Sequence, residues 1–278
     1  MRLFVFHLRA ALFWPPYVER KACCLSRLLD EGLNRFLARL LLRSELSVAE
    51  RDAILRLRGR VAEVPRGREL VLPERPVEQA ILVIEGLIAR FDQMNDGRRQ
   101  ITALHIAGDV SDLHSVPVPV PAWGIEAAAN STIALISHDD IRAAAVKFPA
   151  LAFAFWRDTV VDASILAKWT ANLGRADAAT RLAHLLCEIG TRMEVAGVGG
   201  RDDFSLGLTQ AQLADTLGLT TVHVNRTVMA LKGLVGLSFA GGRVQVDNWP
   251  ALAHIGAYDD GYLMLDKDAA AQEWASIS

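Results

Sequence analysis

Apolar and polar residues recur along this chain on three rhythms, each marking a different kind of structure. From Glu31 to about Leu57, the stretches LNRFLARLLL and LSVAERDAILRL repeat at helical spacing and predict two short helices. Ser47 is placed to cap the second, with Glu50 at capping-box distance. Across 60–137 the rhythm shortens to β-type runs punctuated by Gly and Pro. The strands AILVIEGLIARFDQ and RRQITALHIA flank Asn95-Asp96-Gly97, a strong hairpin signal, and STIALIS at 131–137 predicts another strand. Several short strands joined by turns point to a compact antiparallel barrel or jelly roll. Within this region VPVPVPAW at 116–123 excludes a helix, because alternate prolines remove donors and hold their neighbours extended.

Helical spacing then returns. A short helix is expected over 139–147, and a long one from Pro149 to about Leu173. The long helix carries only Arg157, Asp158, Asp162 and Lys168 as charges, within an arc of roughly 140° that also holds Val161, Ile165 and Trp169. A helix this apolar needs cover on more than one side. One side would lie on the barrel and another on a second subunit; a core helix within a monomer is the alternative. Gly174 is placed to end it, at a hinge. ADAATRLAHLLCEIGTRMEVAG forms a further amphipathic helix with the stripe Leu182, Leu185, Leu186 and Ile189, where His184 and Cys187 read as packing residues.

The most informative stretch is 208–232, LTQAQLADTLGLTTVHVNRTVMALK. A short helix with Leu213, Ala214 and Leu217 on one side runs into Gly218, and a second helix starts at Thr220. This is the helix-turn-helix pattern, whose second helix enters the DNA major groove. Val224, Val228 and Leu231 would face the core, leaving Val222, Asn225, Arg226 and Met229 within an arc of roughly 100° on the other side. Arg reads guanine bidentately, Asn reads adenine, and small apolar groups touch the thymine methyl. No carboxylate lies within Thr220–Val224, so the N-terminal N–H groups stay available to a phosphate, with Thr209, Gln210, Thr220, Thr221 and His223 as candidate phosphate partners. Beyond it, Leu237–Ala240 and Arg243–Val246 would pair across Gly241-Gly242 as a wing, with Arg243 near its tip as a further phosphate contact. NWPALAHIG closes the domain as a short helix capped by Asn248 or Asp247.

Composition changes this picture little. The 278 residues suffice for two cored domains, and 51% hydrophobic with 22% charged residues is ordinary for a globular protein. A net charge of −2 excludes a protein that coats nucleic acid by bulk charge, so the DNA reading rests on pattern alone. Cys23, Cys24 and Cys187 lack disulfide, metal or redox spacing. No apolar run is long enough to cross a bilayer, and MRLFVFHLRAALFW is broken by His7 and Arg9, so a cytoplasmic protein is expected.

The order of β-roll, long helix and winged helix-turn-helix, with LTQAQLADTLGLTTVHVNRTV, a GGRVQV wing and IEGLIARFDQMNDGRRQITALHIAGDV, resembles the CRP/FNR superfamily of bacterial transcription regulators over about residues 31–258. The resemblance implies an α+β fold in five parts. These are an extension at 1–30, a sensor β-roll at 31–148, a dimerisation helix and hinge at 149–174, a winged helix-turn-helix at 175–258 and a tail at 259–278. It also implies a homodimer through 149–173, a palindromic double-stranded DNA site, contact with RNA polymerase, and a sensor whose state sets DNA binding, with no catalysis. Its base-reading positions fall on Val222, Asn225 and Arg226; many members carry Glu where Val222 stands.

The sensor departs from the family's cyclic-nucleotide binders. They carry a Gly-Glu turn followed by an Arg for the cyclic phosphate; here the turn is Gly108-Asp109, and no Arg or Lys follows before Arg142. The iron–sulfur branch needs an N-terminal cysteine cluster that Cys23-Cys24 cannot supply. Neither a cofactor nor a metal is therefore expected, and the small-molecule effector is unnamed. His105, His114 and His138 read as barrel or loop residues rather than haem ligands. Two rivals are a winged helix used for protein contacts and a cupin-type metal enzyme, the latter lacking a His-x-His pair.

Overall fold

A computed structural model describes residues 22–265. The extension at 1–30 and the tail at 259–278 therefore lie partly outside the described residues. Helix α1 (Ala22–Leu41) starts inside the stretch read as an extension and is a single long helix. Its Leu33, Phe36, Leu37 and Leu40 are buried at helical spacing. Helix α2 (Val48–Leu55) starts at Ser47, whose backbone N–H donates to Glu50 Oε2 at 2.7 Å.

Seven strands follow: β1 (Gly59–Val64), β2 (Glu69–Val71), β3 (Gln79–Glu85), β4 (Ile88–Gln93), β5 (Arg99–His105), β6 (Gly124–Ala127) and β7 (Ser131–Ser137). They form two antiparallel sheets, ordered β1-β7-β3 and β2-β6-β4-β5. The expected strand AILVIEGLIARFDQ is two strands, one in each sheet. It breaks at Gly86, whose φ of +92° suits glycine and whose missing Cβ leaves room for Ser131 Oγ. Within β3, Leu82 and Ile84 pack under α1 while Ile81 and Val83 face the interior between the sheets. Both faces are covered, which is why this strand is a continuous apolar run. The Asn95-Asp96-Gly97 hairpin joins β4 to β5, with Gly97 at φ +85°. Residues 117–123 are not helical.

Helices α3 (His138–Lys147), α4 (Pro149–Arg175) and α5 (Ala178–Val195) come next. Helix α4 runs through Gly174 instead of ending there, stopping at Ala176, which is extended. Asp177 caps α5 by accepting from the Thr180 N–H at 2.8 Å. The chain then forms β8 (Asp203–Ser205), α6 (Gln210–Leu217), α7 (Thr221–Val235), β9 (Ser238–Ala240), β10 (Arg243–Gln245) and α8 (Trp249–Ile255). One apolar core runs from Leu87, Phe91 and Leu104 of the roll, through Val161, Ile165 and Trp169 of α4, to Leu213, Val224 and Leu231. No helix among the described residues is long and apolar enough to cross a membrane.

Candidate nucleic-acid interface

Local chemistry fixes the two helices of the reading unit. Thr209 caps α6: its Oγ1 accepts from the Gln212 N–H at 3.1 Å while Gln212 Oε1 accepts from the Thr209 N–H at 3.0 Å. Leu213, Ala214 and Leu217 bury one side. Gly218 ends the helix at φ +61°, the left-handed conformation that turns the chain toward α7. Thr220 is the cap of α7 rather than its first residue, its Oγ1 accepting from the His223 N–H at 3.2 Å. Val224 and Leu231 are fully buried and Val228 half-buried; Thr227, which the apolar spacing missed, is buried with them and donates to the His223 carbonyl at 2.9 Å.

The opposite side of α7 is open. Val222 is 59% and Met229 65% exposed, and Thr221, His223, Asn225 and Arg226 are exposed with them. No Asp or Glu occurs from Thr216 to Val246, so α7 carries no carboxylate of its own. Of the phosphate candidates, Gln210, Thr221 and His223 are exposed; Thr209 and Thr220 already use their hydroxyls as caps.

Strands β9 and β10 form the wing across Gly241 (φ +60°) and Gly242 (φ +82°), and β8 pairs with β10 as a third strand too short to read from sequence. Arg243 is exposed, but its Nε and Nη2 both donate to the Asp203 carboxylate at 2.6 Å. The wing's cation is thus already matched to an anion. Asn248, rather than Asp247, caps α8.

The reading unit is seated on the β-roll by polar contacts as well as by the shared core. Gln212 Nε2 donates to the Ala128 carbonyl at 3.1 Å, and Gln100 Nε2 to the Thr216 carbonyl at 3.2 Å. Arg66 Nη2 donates to the Gly207 carbonyl at 2.5 Å.

At the Gly108–Asp109 turn the sensor's charges are consumed internally. Asp109 is buried, with Arg39 of α1 at 2.7 Å from one carboxylate oxygen and Arg192 of α5 at 2.7 Å from the other. Burial alone would raise its pKa, but Arg39 and Arg192 outweigh burial and hold the carboxyl below the usual range. Arg39 also bonds Asp158 of α4 at 2.7 Å, and Arg90 of β4 bonds Asp162 at 2.6 Å. The arc of α4 that carries Asp158 and Asp162 therefore faces inward. Glu188 of α5 accepts from Trp169 Nε1 at 2.8 Å, from Tyr262 Oη at 2.9 Å and from Arg192 at 3.1 Å. None of these partners was legible locally; a carboxylate in an otherwise apolar helix was the only signal. His105 and His114 are pushed down to about 4 by burial, and His184 is buried between the Gly256 carbonyl and Tyr262. Among the described residues, no three His, Cys, Asp or Glu side chains are grouped to hold a metal.

Known proteins share this arrangement. The Crp-like helix-turn-helix domain profile matches residues 180–255. The nitrogen fixation regulation protein FixK of Azorhizobium caulinodans is 25% identical over 63% of this chain and 69% of its own length. The transcriptional activator protein FnrL of Cereibacter sphaeroides is 28% identical over 56% of this chain and 64% of its own. The solved structure of FixK2 from Bradyrhizobium japonicum superposes with a TM-score of 0.66 at 26% identity, covering 73% of this chain and all of that one. With this roll, this spanning helix and this helix-turn-helix, the chain is built like DNA-binding transcription regulators of the CRP/FNR type, and its 180–255 segment is a Crp-like helix-turn-helix domain.

Proposed function

We propose that the chain works as a cytoplasmic homodimer held by residues 149–173, presenting two α7 helices to successive major grooves of a palindromic site. Val222, Asn225 and Arg226 read bases, while Gln210, Thr221 and His223 meet phosphates beside the capped ends of α6 and α7. Thr209 and Thr220 stand at the rim as the caps of α6 and α7, and Arg243 stands there as a cation shared with Asp203. The observation that carries this reading is the exposed, carboxylate-free side of α7.

The dimer is supported by α4. Phe153, Trp156, Val160, Ala163, Ala167, Thr170 and Gly174 alternate at spacings of three and four, the heptad rhythm of a coiled-coil seam. Each is exposed, with Phe153 at 56% and Trp156 at 66%, an apolar stripe that pairing with a second α4 would cover.

The parts divide the work: 31–148 senses, 149–174 pairs and transmits, 175–258 binds DNA, and the assembly recruits RNA polymerase by binding rather than catalysis. The sensed small molecule is not a cyclic nucleotide. The turn's carboxylate is bound to Arg39 and Arg192, and the stretch that would supply a phosphate-gripping cation is VPVPVP. Arg226→Ala tests the assignment. It should cost about 1–3 kcal/mol on the preferred site and relax one base position, measured by competition binding against single-base variants. Equal loss on specific and random DNA would remove Arg226 from base reading.

A further inference from the structure

Val222 occupies the second position of α7, the end of a recognition helix that reaches deepest into the groove. Thr221 and His223 lie about 100° to either side of it, and Asn225 and Arg226 stand one turn further along the same side. Val222 is thus the side chain at this end of the reading side, with an apolar group pointed at the base pair it faces. Val222 has no donor or acceptor of its own, so it can pair with neither a cytosine N4 amine nor a purine edge. The one apolar group in the major groove is the thymine C5-methyl. Val suits it: a β-branched side chain in a helix holds essentially one χ1 rotamer, so its methyls are fixed before contact. Resting on the base-reading role proposed for α7, we infer that Val222 selects thymine at one position of each half-site by packing on its C5-methyl.

The test uses the intact chain. Bound duplexes are first enriched from a random library, and each thymine of the enriched half-site is then replaced singly by deoxyuridine, which removes only the methyl. One thymine should respond, with affinity falling about four-fold per half-site, the equivalent of ~0.8 kcal/mol for one buried methyl. Val222→Ala, at an exposed helical position and so without effect on the core, should bind the thymine and deoxyuridine duplexes equally at that position. Cytosine there should weaken the wild-type chain, and 5-methylcytosine should recover part of the loss. Deoxyuridine tolerated at every thymine, or a deoxyuridine penalty undiminished in Val222→Ala, overturns the role of Val222. Sequence-specific binding that persists in either case leaves α7 as the reader. Failure to enrich any sequence overturns both readings.

Discussion

The Gly108–Asp109 turn and the outer side of α7 both carry groups suited to a ligand, and the fold uses them in opposite ways. At the turn, the Asp109 oxygens meet Arg39, Arg192 and the Ile106 N–H, all within the chain. On α7, Asn225 and Arg226 stand exposed with no intramolecular partner among the described residues. A binding group is thus recognised by being unengaged, since charge alone marks both places. It also explains why a net charge of −2 is no obstacle to DNA binding: many cations and anions cancel inside the sensor or along its seam with α4 and α5.

The largest effect is expected from breaking the engaged side. Asp109→Asn leaves Arg39 and Arg192 buried without their shared counter-charge, and should cost about 3–5 kcal/mol in urea unfolding. The lower end is expected, because Arg39 keeps Asp158 and Arg192 keeps Glu188. A variant as stable as the wild type would mean that this turn is not the knot joining α1, the roll and α5.

Acidification sharpens the same contrast more gently. His105 and His114 titrate at about 4 in the fold, because burial disfavours the imidazolium, against an ordinary value near 6.5. Their folded pKa is lowered, so the stability they confer is complete above pH 6.5 and is lost as pH falls toward 4. Asp112, raised to about 6 by burial, works the other way and regains part of that loss below pH 6. The net should be a loss of about 2–3 kcal/mol between pH 7 and pH 5, read by thermal unfolding, and His105→Gln should flatten the slope. The smallest expected signal is none: titration calorimetry with cyclic AMP should show no micromolar binding. A clear isotherm would mean that Asp109 can be freed for a ligand.

What the sequence made legible follows from how local each cause is. The Asn95-Asp96-Gly97 hairpin, the strand at 131–137 and the spacing of Val224 and Leu231 are set by neighbours within one turn or one strand, and all are found. The charged arc of α4 could be located but not oriented, because Arg39 and Arg90, which draw Asp158 and Asp162 inward, lie 119 and 72 residues away. Strand β8 is three residues long, too short for any alternation to register, yet its Asp203 holds the wing's Arg243. Residues 259–265 read from sequence only as part of a tail, whereas Tyr262 bonds Glu188 and the Leu263 carbonyl accepts two bonds from Arg43. The two sides of α7 are more legible than the sensor's charge network. A reading helix needs one buried and one open side, which periodicity reveals, whereas a closed charge network depends on partners from distant segments.

Footprinting of the intact chain on its enriched duplex tests the central claim, that paired α7 helices read a two-fold symmetric site. Two protected half-sites are expected, their centres about one helical turn, ~34–36 Å, apart. A single protected half-site, without a symmetric mate, would contradict it.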